Sequence, residues 1–338
     1  MTKQPSRIAL LLEGLWSGWR SAGRHGHGNL GRPFDLSFPV QQHWGALVAF
    51  YLFLGGTAGG FVFVEVLLRW FGVIGARTAA AGMWIGIALS LLSILAIFEH
   101  LGPVARWRFY LAFGRPRRSW ISRGVIIVTA LVALRVLVAL PTVQGAEGLP
   151  WAEGTVLGNG LRALVLAFAL AFMLYSGLVI SSWNSIAFWN TPLLPVLFTG
   201  FSFLGGMAAL PAVAWLVEGL PAMRAVGAVA WPYVLALLAV DGTLLALYLM
   251  GMSTASRPAR VSVRMLTRGA LRGRFVGGVV LLGLVLPAVI VALTILGLLD
   301  GGAGAGAAVL VAGVAAIEVG GYLLRESVLR VGVYGPPV

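Results

Sequence analysis

A few residues of this sequence carry chemistry where chemistry is expensive. Tyr51, Glu65, Arg135, Tyr175, Asp241 and Glu318 fall inside long apolar runs, and the pair Glu99-His100 ends another. An ionisable side chain within a hydrocarbon span costs free energy and is a functional suspect for that reason. A tyrosine hydroxyl can donate a hydrogen bond to the carbonyl of a quinone held in an apolar slot. A tyrosine near a span end also serves simply as an aromatic-belt anchor. Imidazole titrates near neutrality, so His100, with Glu99 beside it, suits proton exchange with a quinol. An interfacial pair solvated by headgroups is the plainer alternative.

Spacing narrows these readings. Tyr51 lies seven residues into its run, roughly 10 Å below the nearer face at 1.5 Å per residue. Tyr175 lies seven residues before the end of a run that returns to that face, so the two hydroxyls fall at similar depth. Glu65 follows Tyr51 by fourteen residues, which keeps both on one helix face, roughly 21 Å apart along the axis. Glu65 can pair with Arg69 at i+4 or with Arg135 at a comparable depth. Asp241 is mid-span with no sequence-local partner, which points to a functional or a buried, paired role. Glu318 is similar but closer to the basic side.

The elements that position these groups follow from composition. The chain has 338 residues, 59% hydrophobic and 10% charged, with a mean hydropathy of +0.94. Soluble domains carry about 25% charged residues, so this is an integral membrane protein embedded in a lipid bilayer. Spans of roughly 20 residues are expected at 44–69, 78–100, 120–141, 160–182, 192–217, 227–251, 275–299 and 304–325. The expected class is all-α and polytopic, with eight transmembrane helices as two four-helix bundles at 44–182 and 192–325. A basic tail over 1–43 precedes them, with a possible amphipathic helix at Ile8–Trp19, and a short tail over 326–338 follows. The division into halves rests on an echo: Phe53-Leu54-Gly55-Gly56-Thr57-Ala58 returns as Phe203-Leu204-Gly205-Gly206-Met207-Ala208, 150 positions on. The small-residue stripe through Gly55, Gly56, Gly59 and Gly60 lets helix backbones approach closely in lipid.

The net charge of +13 is almost all arginine. In a soluble chain it would suggest nucleic acid. Here the arginines cluster on one side of the spans, in the N-terminal tail, in the loop after span two (Arg106, Arg108, Arg115, Arg117, Arg118, Arg123), in the loop after span six (Arg257 to Arg274) and at Arg325 and Arg330. The positive-inside rule then puts both termini in the cytoplasm and needs no nucleic acid. Such loops also bind anionic lipid or dock a soluble partner. The chain has no cysteine, which excludes disulfides, a cysteine-ligated iron–sulfur cluster and a thiol nucleophile. Of the four histidines only His100 lies at a span end, so the paired axial ligands of a transmembrane haem are missing. No metal cluster or phosphate-binding loop is evident. Electrons, if handled, must be brought or taken by a partner.

Several local patterns occur together in order. They are Tyr51-Leu52-Phe53-Leu54-Gly55-Gly56-Thr57-Ala58-Gly59-Gly60; Glu99-His100-Leu101-Gly102-Pro103; Arg115-Pro116-Arg117-Arg118-Ser119-Trp120-Ile121-Ser122-Arg123-Gly124; Tyr175-Ser176-Gly177; Phe188-Trp189-Asn190-Thr191-Pro192-Leu193-Leu194-Pro195; and Leu324-Arg325-Glu326 before Arg330-Val331-Gly332. In this the chain resembles the NrfD-like family of polysulfide reductase membrane subunits. The resemblance implies two four-helix bundles and a site for menaquinone or ubiquinone, with no haem or iron–sulfur cluster in this chain. The site would lie near a face that docks an iron–sulfur (ferredoxin-like) subunit, itself joined to a molybdopterin catalytic subunit. Tyr175 matches a family tyrosine at the quinone. Tyr51 stands where the polysulfide reductase subunit has a quinone-site histidine, and a phenol still donates a hydrogen bond.

The expected function is a quinone-reactive membrane anchor of an oxidoreductase complex in the cytoplasmic (inner) membrane. Tyr51, Tyr175, His100 and Gly55 would form the quinone site, and Glu99, Glu65, Asp241 and Arg135 a proton exchange or relay path. Arg106, Arg108, Arg115, Arg117 and Arg118 would dock the partner. The rival readings are a secondary transporter or ion permease, where repeats and midplane carboxylates also occur, and a non-catalytic anchor.

Overall fold

The computed structural model describes residues 39–100, 109–114, 116–299 and 304–335. The expected amphipathic helix at 8–19, the arginines Arg106, Arg108 and Arg115, and the side chain of His100 lie outside the described residues. Nine long or medium helices carry the fold among those described. They are α1 (Ala46–Trp70), α2 (Ala76–His100), α3 (Trp120–Ala139), α4 (Val156–Ser181), α5 (Leu193–Glu218), α6 (Leu220–Ala255), α7 (Arg257–Thr267), α8 (Gly273–Ile295) and α9 (Gly304–Arg330). All but α7 are long and apolar enough to cross a membrane. The protein is a multi-pass, all-α membrane protein.

Local sequence sets the helix ends. Ser119, Thr155 and Ser256 each accept a backbone N–H of the first turn and start α3, α4 and α7, satisfying donors that would otherwise be unpaired. Gly219 alone separates α5 from α6, at φ 86°. That left-handed conformation favours glycine and lets the chain reverse in one residue. Helix α6 runs for 36 residues, longer than the 227–251 expected, because nothing in Leu220–Val226 or Ser253–Ala255 breaks it. The first part of α8, Gly273–Val285, is wound as a π-helix before ordinary α geometry resumes at Leu286.

One correction concerns the stretch after span six. It is a helix, α7, where the sequence reading has a basic loop. Pro258, Ala259, Ser262 and Leu266 are buried, and Arg257, Arg260 and Arg264 lie on the more exposed side. Ser262 pins α7 by donating to the Val331 carbonyl at 2.6 Å.

Packing places α1 and α5 at the centre. Helices α1 to α4 pack in sequence, with α4 returning to α1; α5, α6, α8 and α9 do the same, with α9 returning to α5. The two sets meet chiefly where α1 crosses α5. Of the most apolar 18 residues in each of those two spans 67% are buried, against 28–50% in the others. The crossing is backbone on backbone: a Cβ on Gly60 would collide with the Ser202 carbonyl, and one on Gly206 with the Gly60 carbonyl. Small residues here trade side-chain volume for close approach, the usual basis of helix association in lipid.

The described chain ends are tied together at one face. Val40 pairs with Val333 in an isolated antiparallel bridge. The Gln41 amide donates to the Leu329 carbonyl at 2.7 Å, and its oxygen accepts the Trp44 N–H at 2.9 Å. The Trp189 indole donates to the Val328 carbonyl at 2.8 Å and stacks at 5.8 Å from Trp44.

Candidate functional site

Tyr51 and Tyr175 meet. Tyr51 lies five residues into α1 and Tyr175 six residues before the end of α4. Because these helices run in opposite senses, both phenols arrive roughly 8–9 Å below the same face, and they are within hydrogen-bonding reach of each other. Tyr175 is buried and Tyr51 half-buried. The space for Tyr175 comes from Gly124 of α3, since a Cβ there would sit 2.5 Å from the phenol oxygen. Gly55 lies one turn deeper, where a Cβ would touch the Phe172 ring at 2.9 Å and Ser93 Oγ at 3.2 Å. Ser93 in turn donates to the Tyr51 carbonyl at 3.3 Å. Glycines therefore seat both aromatic groups against α2, α3 and α4.

Glu65 pairs with Arg135, not with Arg69. The Arg135 Nη1 to Glu65 Oε2 distance is 2.7 Å, with both side chains 0% exposed. Arg135 also donates from Nη2 to the Gly82 carbonyl at 3.2 Å. Gly82 and Gly86 of α2 leave the room: a Cβ on Gly82 would lie 2.8 Å from Glu65 Cγ. Arg69 instead reaches Glu153 at 2.7 Å near the far face. Arg162, buried in α4, adds a second positive charge that acts on Glu65. This group is compensated, with at least as much positive as negative charge around one carboxylate.

A second buried polar group lies on the other side of α1, and sequence reasoning finds only part of it. Arg325 of α9, which the sequence assigns to the topology-setting arginines, is 1% exposed. It donates to the Gly321 carbonyl at 2.9 Å, to the Phe198 carbonyl at 3.1 Å and to Ser202 Oγ at 3.0 Å. Asp241 of α6 is 0% exposed and lies against Gly200 of α5. Neither of its oxygens has a protein hydrogen-bond partner among the described residues. Glu318 of α9 accepts from Thr57 of α1 at 3.2 Å and faces Gly205, where a Cβ would lie 2.6 Å from Oε1. The signal that could have exposed Arg325 is its place within an apolar helix next to a glycine pair, Gly320-Gly321.

Glu99 is at the exposed end of α2, and Arg117 and Arg118 are exposed beyond it. With Gly114 and Pro116 these arginines line a groove of about 490 Å³. A cavity of about 460 Å³ opens between α6, α8 and α9 at the opposite face, lined by Met223, Trp231, Thr294 and Leu310. It contains none of the predicted site residues. No group of three or more His, Cys, Asp or Glu side chains is arranged to hold a metal ion among the described residues.

Comparison with known proteins fixes the family. Over 198 residues the sequence is 30% identical to "Protein NrfD" of Escherichia coli, covering 52% of this chain and 60% of that protein. The match therefore spans less than two thirds of that relative. Over 270 residues it is 25% identical to a polysulfide reductase subunit of Wolinella succinogenes, covering 74% of this chain and 83% of the relative. The family model described as polysulphide reductase, NrfD, matches residues 38–333, which takes in all the spans and all three buried polar groups, and the chain belongs to the NrfD polysulphide reductase family.

Proposed function

We propose that this chain is the quinone-reactive membrane subunit of a multisubunit oxidoreductase. It exchanges electrons between a docked iron–sulfur (ferredoxin-like) subunit and menaquinone or ubiquinone, with a molybdopterin subunit carrying the substrate chemistry. It does so in the cytoplasmic membrane, with both termini and the docked partner on the cytoplasmic side. The observation that carries this reading is the meeting of two phenols from antiparallel helices just under an arginine-rich face. Membership of the NrfD family supports it, as does a relative whose name makes it one part of a polysulfide reductase.

The residues present fit a quinone. When one phenol donates to the other, the second O–H remains available for a carbonyl oxygen in an apolar setting. Phe172, packed on Gly55, supplies apolar surface nearby. A bound quinone would supply two-electron, two-proton redox chemistry. Tyr175 and Tyr51 would hold and orient its head group, and Glu99 and His100 at the end of α2 would exchange protons with the aqueous side. Arg117 and Arg118, with Arg106, Arg108 and Arg115, would attract an acidic partner to this face.

The test is quinol oxidation by the purified complex carrying Tyr175→Phe or His100→Ala. A lost hydrogen bond of about 1–3 kcal/mol corresponds to roughly a 5- to 160-fold drop in turnover for Tyr175→Phe. Wild-type turnover in both variants, with the complex intact, overturns the assignment. Solute uptake by the isolated protein would favour a permease instead.

A further inference from the structure

The two buried charge groups flanking α1 are built differently. On one side a single carboxylate, Glu65, receives a direct hydrogen bond from Arg135. On the other, two carboxylates share one guanidinium that spends its hydrogen bonds elsewhere. The three bonds from the Arg325 Nη atoms go to two backbone carbonyls and a serine hydroxyl. No hydrogen bond from Arg325 to Asp241 or Glu318 is present among the described residues, although Arg325 acts on both electrostatically. Asp241 has no protein donor on either oxygen, whereas Glu318 and Glu65 each lack one on Oε1 alone.

The three side chains meet α5 within about two turns, Asp241 on a different face of the helix from Arg325 and Glu318. Arg325 reaches Phe198 and Ser202, Asp241 lies against Gly200, and Glu318 faces Gly205. The groups supplied by the surrounding elements are Thr57 from α1, Ser202 from α5, and Arg325 with Glu318 from α9. The acidic neighbour Glu326 is turned away, onto Arg330 at 2.8 Å and Arg274 at 3.5 Å. Two full negative charges against one positive charge, with one carboxylate lacking any protein donor, is a costly arrangement in a low-dielectric interior. Binding a proton removes a charge and converts one acceptor oxygen into a donor. A metal cation would meet the guanidinium beside it; a covalently held proton carries no such penalty.

We propose that Asp241 and Glu318, which meet α5 on different faces about Arg325, are the proton-binding carboxyls of the interior: at least one of them is protonated at neutral pH while Glu65 stays ionised. Any proton uptake into the interior then engages the Asp241–Glu318 side of α1, and Glu65 with Arg135 is a structural pair. On this proposal Glu65 and Arg135 stand outside the relay. The proposal does not depend on a quinone binding at Tyr175.

The test is infrared spectroscopy of the purified full-length protein at neutral pH, in H₂O and D₂O. A protonated carboxyl has a C=O stretch well separated from the carboxylate bands and shifts on deuteration. The wild type is expected to show such a band. Asp241→Asn or Glu318→Gln should remove or weaken it, Thr57→Val should shift any part due to Glu318, and Glu65→Gln should leave it unchanged. Absence of the band in the wild type, which needs no variant to fold, overturns the proposal. So does its survival at full strength in both carboxyl variants, its loss in Glu65→Gln, or its loss on adding sodium, which would make the ligand a metal cation.

Discussion

Replacing Arg135 with methionine removes a guanidinium but keeps a long side chain in the gap between α1, α2 and α3. The structure sets the cost. Arg135 and Glu65 are both fully buried and 2.7 Å apart, and Arg135 also satisfies the Gly82 carbonyl. Removing one partner of a buried pair leaves an uncompensated charge and typically costs about 3–5 kcal/mol. At roughly 1.4 kcal/mol per decade that is two to three and a half orders of magnitude in the folded population. Replacing both partners, as in Glu65→Leu with Arg135→Met, removes the stranded charge and should recover most of the loss, since apolar substitution of a whole buried pair is often neutral. The assay is denaturant or thermal unfolding in detergent, run as a double-mutant cycle. Coupling of about 3 kcal/mol or more is expected. A single-variant cost under about 1 kcal/mol, or a double variant no more stable than Arg135→Met alone, would refute the claim that Glu65 is held ionised by this arginine.

Other outcomes follow from the same geometry. Gly206→Ala should loosen the α1–α5 crossing and lower the thermal midpoint, whereas Gly242→Ala, whose Cβ would meet nothing within 4 Å, should leave it nearly unchanged; equal effects would remove the argument for backbone contact. Gln41→Ala strands the Trp44 N–H and leaves the Leu329 carbonyl with only the Gly332 N–H as donor, for about 1–3 kcal/mol, and protease sensitivity near residue 40 should rise. Glu218→Ala removes an acceptor for the Thr78 N–H and hydroxyl, at 2.8 and 2.7 Å. It should free the first turn of α2, which faster amide exchange at Thr78 would report.

Much of this is legible in the sequence because a bilayer imposes strong constraints. Long apolar runs must be helices with their backbone bonds satisfied internally, so the spans are readable to within several residues. The similar depth of Tyr51 and Tyr175 needs only the helical rise and the antiparallel sense of the two spans. The choice between Arg69 and Arg135 for Glu65 does not follow from spacing. An i+4 partner is available, but Glu153 takes it through a contact 84 residues distant. Arg325 escapes a count of basic residues by side, because such a count treats a buried arginine near a span end like an exposed one. Helix α7 is hidden by its composition: it is short and arginine-rich, so it reads as a basic loop although Pro258, Ala259, Ser262 and Leu266 form a buried side. Glycine pairs in a span suggest close helix approach, and Gly60 and Gly206 are such sites. Gly82, Gly200 and Gly205 instead make room for a carboxylate, a distinction that depends on which neighbour each glycine faces.

The tie between Gln41 and Leu329 also sets an order of events during synthesis. Its partners are 288 residues apart, an interval of about 15 to 60 s at usual translation rates. Throughout that time α1, made before the other described spans, lacks α5 or α9 or both, the helices that cover its Gly56, Thr57 and Gly60 surface. The nascent protein must therefore hold a glycine-lined face in lipid, or against an insertion factor, until the last helix arrives. Assembly of this protein closes at its centre only after its outer helices are in the membrane.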